Sequence, residues 1–185
     1  MSTSHVTSLV VAALLVFWAV GAYNRLVRLR NDIARAFASV LAQIEQRHGL
    51  LLRWTDALRP MFDESQGWVD AVVASADQLR VAAEQTRLRP SAPSLVASLR
   101  LAEDTLSASS ARLLGDLPAH LHQTHLSVAS LGLAGFNDEI AEAGSTLAFA
   151  RRQFNAAVDQ YNEAVMQFPT VLIASLFGFR PAGSL

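Results

Sequence analysis

The sequence predicts an all-α protein, with an N-terminal single transmembrane helix followed by an elongated antiparallel four-helix bundle. Three observations predict it. Val6 to Ala22 is an uninterrupted apolar run without a charge, and beyond it apolar residues recur at seven-residue spacing, split four and three. No segment alternates apolar and polar residues as a half-buried strand would. Composition agrees: 185 residues give room for one domain, and 51% hydrophobic with 17% charged is more apolar than an ordinary soluble chain. Part of the chain is therefore expected in lipid. A formal net charge of −1 provides no global field for nucleic acid, and the absence of cysteine excludes disulfides and thiol chemistry. All 15 basic residues are arginine.

The N-terminal tail and anchor are assigned to residues 1–22. Val6 to Ala22 is about 17 residues, roughly 26 Å as a helix, the short end of what spans a bilayer. Phe17, Trp18 and Tyr23 gather at one end, where aromatic rings favour the interface. Small residues at Val20-Gly21-Ala22 would suit a signal-peptide cleavage site, but no Lys or Arg precedes the run. Arg25, Arg28, Arg30 and Arg35 follow it directly. The positive-inside bias then predicts a cell inner-membrane protein with the bulk of the chain cytoplasmic.

Residues 23–169 are expected to form the bundle. In the first helix, Leu26, Ile33, Val40 and Trp54 share one row, with Arg47 the exception, and Phe37, Ile44, Leu51 and Leu58 form the second. Arg59-Pro60 ends it. Asp63-Glu64 reads as a helix-start charge pair. The second helix carries Phe62, Val69, Val72, Ala76, Leu79 and Ala83 and stops before Arg89-Pro90. Ser94 can cap a third helix, striped by Leu95, Leu99, Ala102, Leu106, Leu113 and Leu117. Pro118 should kink or interrupt it, and Gly132 and Gly135 mark the next turn. The fourth helix repeats Ile140, Leu147, Phe154, Tyr161 and Phe168 at strict sevens, beside Val158 and Val165, and Pro169 terminates it.

Two phrases carry a resemblance. Tyr23-Asn24-x-Leu26-Val27-x-Leu29-Arg30-Asn31 is one. The other runs through Ala150-Arg151-x-x-Phe154-Asn155-x-x-Val158-x-x-Tyr161-Asn162 to Phe168-Pro169, Leu172-Ile173-Ala174 and Phe177-Gly178-Phe179. Together they resemble the LemA family of bacterial membrane proteins. The resemblance implies an anchor, a four-helix domain and no established enzymatic activity. Gly49 departs from the family pattern, standing where an acidic residue is usual.

Four passes bring the chain back to its starting end. The candidate structural and interaction residues are therefore all membrane-proximal: Tyr23, Asn24, Arg30, Asn31, Phe154, Asn155, Tyr161, Asn162, Phe168, Pro169, Phe177, Gly178 and Phe179. Arg30 shares a row with Tyr23, Phe37 and Ile44, which aims it inward or toward the neighbouring tail, with Asp159, Glu163 or the last carbonyls of the fourth helix as acceptors. It could instead bend out to lipid headgroups with Arg25 and Arg28. The four asparagines flank the apolar rows, where they could bridge helices and fix register, stay solvated, or line a ligand site. Residues 170–185 form an apolar membrane-proximal tail, with Val171, Leu172, Ile173, Leu176, Phe177 and Phe179 either capping the bundle or lying in the interface.

Chemistry is sparse. His120, His122 and His125 have ligand-like spacing, but a regular helix turns His120 away from the other two, so a solvated face is expected and no metal. There is no phosphate loop, no Ser/His/Asp arrangement and no aromatic-basic nucleic-acid surface. No cofactor is expected, and no enzyme. The expected partners are the bilayer, through Val6 to Ala22, and a protein or second copy through helix faces. The reading is a non-catalytic scaffold or adaptor. An oligomerising membrane-shaping protein is the alternative, and a signal relay is disfavoured because only a few residues precede the anchor.

Overall fold

The computed structural model describes residues 3–59, 67–124 and 135–185, with side chains left out at 3–4, 116–124 and 137. Five helices follow in order: α1 (Thr3–Leu58), α2 (Trp68–Leu88), α3 (Pro93–Thr124), α4 (Phe136–Met166) and α5 (Thr170–Leu176). No strand occurs among the described residues. Phe62, Asp63, Glu64, His125 and Gly132 lie outside them, as do the side chains of Leu117, Pro118, His120 and His122.

The 56 residues of α1 make a rod about 84 Å long with two regimes. From Val6 to Val20 the large apolar side chains are exposed on every side, and α1, which carries them, is long and apolar enough to cross a membrane. From Ala22 onward only one stripe is buried. All eight residues of the two expected rows, Leu26 to Trp54 and Phe37 to Leu58, lie in the core. The helix passes through Ala22 and Tyr23 without a break.

α1 packs on α4 and α2, and α2 packs on α3. Against α4, the Phe37 ring meets Phe154 edge-on at 5.7 Å, and farther along Arg53 pairs with Glu139 at 3.5 Å. Against α2, His48 Nε2 lies 2.8 Å from Asp77, and Arg59 donates to Asp70 at 2.9 Å. The Ser75 and Ser109 hydroxyls meet at 2.7 Å between α2 and α3, and Thr86 donates to the Leu95 carbonyl at 3.2 Å. In these three pairs of contacts, rising numbers on one helix meet falling numbers on the other.

Several sequence expectations change. Ser94 is not the cap of α3, because Pro93 opens the helix. Its missing N–H is one that a first turn leaves unbonded anyway. The core stripe runs through Val96, with Leu95 half-buried. α3 continues to Thr124 past Pro118, since one proline removes a single hydrogen bond from a long ladder. Ile140, Leu147, Phe154 and Tyr161 do face inward, although Ile140 is only half-buried. Phe168 does not. Gln167 leaves the helix in extended geometry (φ −73°, ψ 129°), so Phe168 falls off the seven-residue row and is 77% exposed.

Among the described residues a charged cluster lies half-buried at the edge of the core. Arg47 occupies an apolar row of α1 and lies 3.9 Å from Glu103 of α3, which pairs closely with Arg151 of α4 as well. Burial lowers the pKa of both guanidinium groups, and for Arg151 the charges of Arg47 and Arg100 lower it further. Glu103 thus ties three helices together at mid-height.

Candidate functional site

The aromatic-Asn repeat of α4 builds its site from helix geometry. Phe154 and Tyr161 are buried, while Asn155 and Asn162, one position on in each case, sit half-buried at the edge of the same face. Seven residues of helix advance about 10.5 Å. Three residues of extended chain advance about 10 Å. The two asparagines can therefore grip an extended segment at every third residue.

The segment they grip is the C-terminal tail. After Met166 the chain turns through Phe168-Pro169, a cis peptide, into α5, whose Ile173 and Ala174 are buried. Gly178, at φ +70°, then takes a conformation that costs glycine little and reverses the path. Residues 180–185 run back along α4. Asn162 Nδ2 donates to the Ala182 carbonyl at 3.0 Å while its Oδ1 accepts the Ala182 N–H at 2.7 Å. Asn155 treats Leu185 the same way, at 2.6 and 2.8 Å. The Tyr161 hydroxyl donates to the Arg180 carbonyl at 3.0 Å. Each amide thus imitates one rung of a β-ladder.

The far side of the tail lies against α3. A Cβ added to Gly183 would come within 2.9 Å of Pro93 Cα and 3.4 Å of Val96 Cβ, so only glycine fits without movement. The tail is thus wedged between α4 and the start of α3. This corrects the expected role of Asn155 and Asn162, which hold the tail rather than bridge helices. A side-chain amide has one donor side and one acceptor side, which suits a backbone with both groups free better than a helix whose own are already paired.

At the other end of the tail, Phe177 and Phe179 pack on Tyr23, with ring centroids 4.9 and 5.7 Å away. With Val27, Arg30 and Asn31 they line an open cavity of about 500 Å³. Arg30 is exposed here, on the tail side rather than inward, and it has no hydrogen bond to Asp159 or Glu163. Tail and guanidinium share the space beside α1, so Arg30 faces the cavity rather than the core. Asn24 is exposed and does not touch the tail backbone. Val171, Leu172, Leu176 and Phe177 remain exposed, so α5 caps the helices only through its other face.

Comparison with protein families matches residues 36–185 to the LemA family. The chain belongs to the LemA family. The match takes in α4, the Phe-Pro turn and the whole docked tail, so the LemA part of the chain includes both partners of the asparagine clamp. Tyr23 to Asn31 falls before it. Comparison with curated proteins finds no match, and comparison with solved structures finds none either.

Two results are expected of this LemA face. Asn162→Ala removes two hydrogen bonds, together worth about 1 to 2 kcal/mol. Hydrogen exchange of the Ala182 amide should accelerate roughly 5- to 30-fold, whereas Asn24→Ala should leave it unchanged. The second concerns alkali. Burial pushes the Tyr161 phenol above its ordinary range, and the Arg30 charge pulls partly back. Below about pH 10 folded and unfolded chains both carry the proton, so the phenol's contribution is whole. Above that, the unfolded chain releases its proton first, and stability falls as pH rises through the folded value. Tyr161→Phe should flatten this alkaline loss in denaturant melts from about pH 9 to about pH 11.

Proposed function

We propose that this chain is a non-catalytic scaffold or adaptor of the LemA type, anchored in the bacterial inner membrane by Val6 to Ala22. The observation that carries the reading is the change of regime along α1. Apolar side chains exposed all round, from Val6 to Val20, pass without a break into a helix with one buried stripe. Such a surface is costly in water and at home in lipid. The unbroken passage through Ala22, itself buried, supports an anchor over a cleaved leader.

The rest of the chain forms an elongated antiparallel four-helix bundle of α1 to α4. The opposed numbering in the contacts of α1 with α4, α1 with α2 and α2 with α3 supports this arrangement. It brings Tyr23 and the Phe168-Pro169 turn to the same end, beside the membrane. The Arg excess after the span supports a cytoplasmic bundle. The Arg47–Glu103–Arg151 cluster is engaged in packing and the α4 asparagines in tail docking, which supports work through surfaces rather than through a reaction.

Cysteines at Val27 and Thr170 test the arrangement in a chain that has none of its own. A crosslink within one polypeptide is expected in native membranes, together with capture of a small, discrete set of neighbours. Crosslinks only between chains, in large ordered arrays, would favour membrane shaping instead. Digestion of the bundle by protease added outside intact spheroplasts would overturn the orientation.

A further inference from the structure

We infer that the cavity between Tyr23, Arg30, Asn31 and Phe177 holds the phosphate headgroup of an anionic membrane lipid. This inference deepens the anchored reading and rests on it. Arg25, Arg28, Arg30 and Arg180 are exposed at this end of the protein and form no ion pair with a described residue. From Val6 to Asn31, and again from Ala164 to Leu185, the sequence has no carboxylate side chain. The first acid after the span, Asp32, is already paired with Arg35. A set of unpaired guanidinium groups without a local counterion calls for an anion from outside.

Geometry says where the anion comes from. In a helix the Cα–Cβ bonds tilt toward the N-terminus, which on α1 is the membrane side. Arg30 stands eight residues beyond Ala22, about 12 Å along the axis, and its long side chain leans back over that gap. Its planar fork suits two phosphate oxygens, and Asn31 adds an amide donor at the same cavity. The Tyr23 and Phe177 rings form the wall on the membrane side. Beside them on α5, Leu172 and Leu176 are 57% and 75% exposed, one helical turn apart. An apolar face adjoining an unpaired cation matches a lipid, with acyl chains below and phosphate above. A free phosphate ion would leave that face in water.

The test uses the full chain in detergent, titrated with dioctanoyl phosphatidylglycerol, dioctanoyl phosphatidylcholine or inorganic phosphate, and read by native mass spectrometry and thermal unfolding. Phosphatidylglycerol should be retained and should raise the unfolding midpoint; the other two should not. Arg30→Gln should weaken retention roughly five- to tenfold, Arg30→Lys should weaken it less, and Arg59→Gln, at the far end of the bundle, should leave it unchanged. Equal effects of both lipids, an equal effect of inorganic phosphate, or undiminished retention by Arg30→Gln would each overturn the inference. Carbonate extraction of native membranes separates this result from the reading beneath it. Release of the wild-type chain would overturn the anchor itself, whereas firm anchoring without headgroup preference would remove only the lipid site.

Discussion

Phe154→Ala is expected to cost about 3 to 5 kcal/mol, the range for emptying a fully buried aromatic site. Phe154 is at 0% exposure, its ring edge-on to Phe37 across the contact between α1 and α4. Nothing nearby can collapse into the space, because Phe37 is held by the same long helix that carries Ile33 and Val40 into the core. The loss should also reach the tail, since Asn155 is the next residue and its grip on Leu185 depends on how α4 is seated. Thermal or denaturant unfolding of the detergent-solubilised chain measures it. Arg35→Ala, at an exposed pair on the opposite face, serves as control and should move stability by less than about 0.5 kcal/mol. A change for Phe154→Ala no larger than that control would make the aromatic a surface residue.

Glu103→Gln is expected to cost about 3 kcal/mol. The substitution keeps the shape and removes only the charge, yet it leaves Arg47 and Arg151 near each other without a counterion. Breaking a buried pair by removing one member is expensive because the other charge stays buried. The Nε of Arg47 already has no hydrogen-bond partner, so the guanidinium has no alternative acceptor to turn to. Replacing all three residues together by apolar ones of similar size should recover most of the loss. A double-mutant cycle between Glu103 and Arg151, read by denaturant unfolding, checks the coupling. Additive single effects would mean that the cluster is solvated rather than structural.

The rows of α1 and α4 were legible because a helix that buries one stripe must repeat its apolar residues at its own period. The eight apolar residues from Leu26 to Leu58 assigned to the α1 rows are in the core for that reason. Phe168 misled because it continues the interval of seven after the helix has ended, and spacing alone does not reveal that the backbone has left its helical path. Arg47 was visible only as an interruption. Its partners Glu103 and Arg151 lie on two other helices, and no local pattern joins three segments so far apart in sequence.

The asparagines were found as residues of interest but given the wrong neighbour. Sequence reading weighed the apolar residues of the tail, whereas the clamp grips backbone at Ala182 and Leu185, where side chains carry almost no signal. The one available clue was Gly183. A glycine near the end of an apolar tail can mark close approach to another backbone, as it does here against Pro93.

Because the clamp reads main chain at a fixed interval, it behaves like a vernier with two marks. The helix interval of about 10.5 Å and the extended interval of about 10 Å agree well over one step, but the mismatch grows with each further one. Slippage of the tail by one residue would either bring Pro181, which has no N–H to give, opposite Asn162 or carry Gly183 past its place, and in both cases a side chain enters the space that Gly183 leaves empty. Recognition is thereby divided in two: the asparagines bond the backbone at two points, and a missing Cβ sets the phase. During synthesis α4 is made before residues 180–185, so the slot exists before the segment that fills it. Only a register with glycine at the right place is both bonded and accommodated.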